Sequence, residues 1–109
     1  MKIGLILSGL LLSLLVFSSS SYAQDGQALY LKSCKMCHAE DGKGSLAISK
    51  SMKVELSKLD LTDKETSNKK DDELAMVIND GAGKMKGFKD KMSAEEVAAI
   101  LKHVRSLKK

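Results

Sequence analysis

Cys34-Lys35-Met36-Cys37-His38 is the stretch from which the rest of this sequence is read. It holds the only two cysteines in 109 residues, and one of the two histidines follows them directly. A disulfide between these cysteines would close so short a loop that little entropy would leave the unfolded chain. Thiol–disulfide catalysis of the thioredoxin kind needs a βαβ setting, and no strand pattern surrounds the motif. A structural zinc site asks for four Cys or His ligands at suitable spacing, and only His103 remains to be added.

Cys-x-x-Cys-His is also the pattern of covalent c-type haem attachment. The spacing lets two thiols form thioethers to the haem vinyl groups while the next residue presents its imidazole to the iron. This reading makes Cys34 and Cys37 the attachment residues, His38 the proximal ligand and haem c the cofactor. Two rivals stay open at this point. One is a haem-based enzyme or gas sensor whose sixth coordination position is free. The other is a non-haem thiol-redox or metal-binding module.

The residues before the motif place it in an exported protein. Lys2 precedes an apolar run from Ile3 to Phe17, broken only by Gly4, Ser8, Gly9 and Ser13, and Ser18 to Ala23 supply small residues. That order of charge, apolar core and small-residue site is a secretory signal, with cleavage expected after Ala23. The run is short against the roughly 20 apolar residues that a membrane span needs, so no stable membrane insertion is expected after cleavage. The expected organisation is a signal peptide over 1–23, one domain over 24–109 and a periplasmic location.

Composition narrows the fold. With 43% hydrophobic and 29% charged residues, no Pro, no Trp, two Tyr and two Phe, the chain has room for one domain. Ala, Leu, Lys, Glu and Met favour helices, and the scarcity of aromatics argues against a sandwich or barrel. The expected class is all-α. Formal net charge is +4, but acids are interspersed and Arg105 is the sole arginine, so nucleic acid is not an expected partner. So small a core commonly needs a disulfide, metal or cofactor as a staple.

Three helices are legible. Residues 25–34 run into the motif. Residues 71–80 open with Asp71, Asp72 and Glu73, face Leu74, Val77 and Ile78 inward, and stop at Gly81 and Gly83. Residues 93–107 open with a Ser93/Glu96 capping box and carry Val97, Ile100, Leu101, Val104 and Leu107 as one stripe. Residues 45–68 show no sustained period, which predicts irregular wrapping with about one helical turn.

Taken together, the chain resembles the small class I c-type cytochromes, single-haem bacterial electron carriers, over essentially all of residues 24–109. Asp25 to Tyr30 matches the helix before the haem motif, Asp41-Gly42-Lys43-Gly44 the glycine-rich turn after it, and Ser93 to Leu107 the closing helix. Gly81-Ala82-Gly83-Lys84-Met85-Lys86-Gly87-Phe88 resembles the segment that carries the axial methionine. The resemblance implies three to four short helices wrapped around one haem, with the first and last crossing near Gly26, Tyr30 and residues 99–103. It further implies one-electron transfer between larger redox proteins, not catalysis.

Within that resemblance Met85 is the expected sixth ligand. Met36 is tied to the attachment loop, Met52 and Met76 lack supporting context, and His103 sits where the family has an aromatic. Met92 is the runner-up. Two departures stand out. Lys86 replaces the proline that often follows the ligating methionine, and no proline after the motif places a carbonyl on His38. Both loops are therefore expected to be less rigid. Lys35, Lys84, Lys86, Lys89 and Lys91 would form a basic rim that steers acidic redox partners to a monomeric carrier.

Overall fold

A computed structural model describes residues 25–107 of the chain; the expected signal peptide lies outside them. Among the described residues there are seven helical segments and no strand beyond an isolated bridge between Ala82 and Met85. The all-α expectation holds. None of these helices is long and apolar enough to cross a membrane.

The three legible helices are present. α1 spans Gly26–Ser33, and the Asp25 carboxylate caps it by accepting from the amides of Gln27 and Ala28. α2, Lys35–His38, is a single turn bearing the cysteine–histidine motif. α6 covers Asp71–Asp80, with the Glu73 carboxylate accepting from the Lys70 amide at 2.8 Å. α7 covers Ala94–Leu107, opened by the reciprocal bonds of Ser93 and Glu96 at 3.1 and 2.9 Å.

Residues 45–68 are more ordered than their sequence predicts. They fold as α3, Leu46–Met52, α4, Leu56–Leu59, and α5, Lys64–Asn68. The helix count therefore exceeds the expected three to four. Local caps explain the difference. Ser45 accepts from the Ile48 amide and Asp63 from the Thr66 amide, so two of these short helices are set by side-chain acceptors rather than by an apolar stripe.

The core lies where α1 crosses α7. Tyr30, Val97, Ile100, Leu101 and Val104 are the buried apolar side chains. Gly26 makes the crossing possible: a Cβ there would run into the Ala99 carbonyl oxygen and lie 2.7 Å from its carbon. Those are backbone atoms of α7, so no rotamer change relieves them. Gly26→Ala should therefore cost about 1–3 kcal/mol, read as a lower urea midpoint of the purified protein. An unchanged midpoint would mean that the helices slide apart freely.

Arg105 ties α7 to the middle of the chain. Its guanidinium donates to the Lys69 carbonyl and to Asp71 Oδ1, both at 2.7 Å. By contrast, α2 to α6 contain no fully buried residue. Their apolar side chains are half-buried or more open, with Leu46 at 55% exposure.

Candidate functional site

The motif helix is held at its end by the turn that follows. The carbonyls of Cys37, His38 and Ala39 accept from the amides of Ser45, Gly44 and Gly42, at 3.0, 2.8 and 3.1 Å. Ala39 ends the helix at φ 69° and ψ 162°, a conformation that only glycine adopts freely. The buried Tyr30 hydroxyl donates to the Ala39 carbonyl at 2.6 Å and so fastens this strained residue to the core. Burial, then the neighbouring Cys34 and Asp41, push the Tyr30 hydroxyl above its ordinary range, which keeps it a donor.

His38 has one ring nitrogen committed. Nδ1 lies 2.8 Å from the Leu59 carbonyl oxygen. A carbonyl only accepts, so Nδ1 carries a proton, and in the neutral ring Nε2 then keeps its lone pair. This is the arrangement of an imidazole prepared to bind a metal, with its outer nitrogen held by a backbone acceptor. The less rigid setting expected for His38 without a following proline is corrected here by this contact. Leu59 supplies the carbonyl where no proline places one.

The Leu59 carbonyl is available because α4 ends there and leaves its last carbonyls unpaired within the helix. Two contacts fix its position. The Leu61 amide donates to the Gly42 carbonyl at 2.6 Å, binding this segment to the glycine turn. Asp60 accepts from the Thr62 amide and hydroxyl at 2.8 and 2.7 Å. The Thr62 hydroxyl, against some desolvation and with help from the Thr62 amide and Lys43, holds the Asp60 carboxyl below its usual range.

Cys34 and Cys37 are both free thiols. Burial, with Cys37 adding to it, pushes the Cys34 thiol up to about 11. A catalytic dithiol needs the opposite, a depressed thiol that is largely thiolate at neutral pH. The donor set of two thiols and one tautomer-fixed imidazole, on one turn of helix, fits covalent attachment and proximal ligation. The half-buried apolar side chains of α3, α4 and α6 fit a broad apolar group.

The methionines separate by place. Met36 and Met76 are 74% and 60% exposed. Met92 packs against the Tyr30, Ile100 and Val104 cluster. Met52 ends α3, and Met85 is half-buried in the 81–88 loop. That loop turns on a two-bond bridge, with Met85 N to Ala82 O at 2.8 Å and Ala82 N to Met85 O at 3.0 Å. Gly81 has φ 83°, and a Cβ there would lie 2.5 Å from the Met85 carbonyl oxygen. His103 packs on Tyr30, ring centroids 5.1 Å apart.

Sequence reasoning missed three contacts: Leu59 to His38, Tyr30 to Ala39, and Lys84 Nζ to the Met52 carbonyl at 2.6 Å. Each ends on a backbone carbonyl, which leaves no residue-type signature. His38, Tyr30 and Lys84 are each singled out in the sequence, as ligand, helix-crossing aromatic and rim charge, but their carbonyl partners are not.

Comparison with known proteins gives the family. The family model described as cytochrome C oxidase, cbb3-type, subunit III matches residues 22–104. Among solved structures, the KustC0563 c-type cytochrome is 33% identical, with a TM-score of 0.65 over 78% of this chain and 99% of that one. No curated protein matches the chain.

Proposed function

The chain belongs to the class I c-type cytochromes, haem proteins that carry electrons, and from that premise we propose that it is a one-electron shuttle between larger redox proteins, with His38 and Met85 as axial ligands. Haem c is its covalent cofactor, and we assign the two thioethers to Cys34 and Cys37. When bound, that group supplies a ferric/ferrous couple. The observation that carries the assignment is the His38 ring, whose Nδ1 proton is committed to Leu59 beside two free thiols.

Each residue has a distinct task. Cys34, packed against the buried cluster, anchors the attachment to the core. His38 presents Nε2 while Leu59 keeps the ring from rotating. Met85 sits at a tight turn whose base is pinched against the end of α6, since a Gly87 Cβ would press on the Asn79 carbonyl. With haem bound, His38 would supply an imidazole donor and Met85 a thioether, and the thioether would favour the reduced state and raise the potential. With His38 and Met85 both donating, no position would be left for substrate, in keeping with a carrier. The domain over 24–109, freed of its signal, would work in the periplasm as a monomer.

Docking would use the exposed lysines. Lys35, Lys89 and Lys91 point their charge to solvent, whereas Lys84 is bonded to Met52 and Lys86 lies 5.8 Å over the Phe88 ring. Rates with an acidic partner should fall as salt rises, because exposed charges are screened over about 10 Å at 0.1 M. Reversing Lys35, Lys89 and Lys91 to Glu should slow association far more than it moves the potential. Stopped-flow measurement against ionic strength checks this, and salt-independent rates would leave the lysines as solubilising charges. Carbon monoxide capture by the unaltered ferrous protein would overturn the carrier assignment in favour of an open sixth position.

A further inference from the structure

We propose that Lys84 is a positioning residue for Met85. Its ammonium latches the 81–88 loop to the end of α3 and so limits how often that loop lifts. The proposal rests on the reading of Met85 as an axial ligand.

The hydrogen bonds of the loop show why one lysine carries this weight. Ala82 and Met85 bond to each other, so the turn is closed on itself. Its base is tied to α6, through Gly81 N to Val77 O, Phe88 N to Ile78 O and Lys89 N to Asn79 O, at 2.8 to 3.0 Å. All of these partners lie within the loop or the helix leading into it. Among the described residues, Lys84 Nζ to Met52 O is the one hydrogen bond from this loop to anything before α6. It spans 32 positions of sequence at 2.6 Å.

The acceptor suits a cation. Met52 is the last residue of α3, and Lys53 ends the helix at φ 57°. A helix's final carbonyls lack intrahelical donors and carry its partial negative charge. An ammonium there is a favourable C-terminal partner. The loop has little other stiffening. It has no proline, and the position of Gly83 meets nothing within 4 Å. Lys86, the other flanking lysine, is turned onto Phe88 inside the same segment and bridges nothing. The two lysines beside Met85 therefore differ in kind. One is a strap across the chain, and the other is a surface charge.

The test uses the ferric holoprotein and imidazole as the incoming ligand, with amide hydrogen exchange as a second readout. Lys84→Met should raise the imidazole capture rate about three- to tenfold, the weight of one exposed charge-assisted hydrogen bond. It should raise exchange at the Met85 and Ala82 amides by a similar factor and leave the urea midpoint nearly unchanged. Lys84→Arg should restore most of the slow rate, and Lys86→Met should leave the rate as it was. Equal rates for Lys84→Met and Lys86→Met, or unaltered exchange at Met85, would overturn the latch. Hydrogen exchange reads the latch whichever residue binds the iron. A separate Met85→Ala protein that keeps its near-infrared methionine–iron absorption would overturn the ligand reading instead.

Discussion

Cys37→Ser or His38→Ala is expected to leave a largely unfolded, protease-sensitive chain. Among the described residues the buried apolar side chains are Tyr30 and four residues of α7, and no segment from α2 to α6 contributes one. A domain of this size is marginal even with a complete core. The middle of the chain is held by backbone bonds, by Arg105 and by the His38–Leu59 contact. His38→Ala removes that contact and the metal donor together. Cys37→Ser removes one of the two attachment points while leaving the ring in place. Circular dichroism and limited proteolysis should show loss of most helix, with any remnant confined to α1 and α7. A compact, cooperatively unfolding apoprotein would show that the protein part alone suffices.

Met85→Ala is expected to open the sixth position without unfolding the chain. Met85 is half-buried at a turn whose own bonds are backbone to backbone, so the loop survives loss of the side chain. The potential should fall, since a thioether favours the reduced state relative to water or a nitrogen donor. The ferrous protein should then bind carbon monoxide, and the near-infrared methionine–iron absorption should vanish. Met92→Ala should behave in the opposite way. Met92 packs against the Tyr30, Ile100 and Val104 cluster, so its truncation should cost about 2–5 kcal/mol, less where the partly exposed site can collapse, with the absorption intact. If the Met92 change removed that absorption and the Met85 change did not, the ligand assignment would be reversed.

The contrast between α7 and α3 shows what could be read in advance. α7 buries one face, so burial imposes an apolar stripe on its sequence, and its capping box marks the start. α3, α4 and α5 bury no residue fully, so no stripe marks them, and their caps are single side chains that also occur in ordinary turns. The same limit applied at the site. The two thiols and the imidazole were legible because their chemistry depends on residue type. The Leu59 carbonyl was not, since any residue could provide it. A missing proline left His38 without an expected partner, and the end of a four-residue helix supplied one. Lys84 was expected to stand in solvent. A tether between positions 32 apart in sequence cannot be seen until the chain is folded.

The pairing of Tyr30 with Ile100 and Val104 also sets a schedule for the growing chain. Domains generally fold as units, and here the early residues have nothing to close around. Tyr30 cannot be buried until α7 has been added, and no segment between the two offers a nucleus of its own. Contacts between distant positions are slow to form in any case. The nascent chain therefore lacks a closed core until the partner of its first helix arrives, a property that would suit the proposed export through a protein-conducting channel. Its core is a clasp that fastens last.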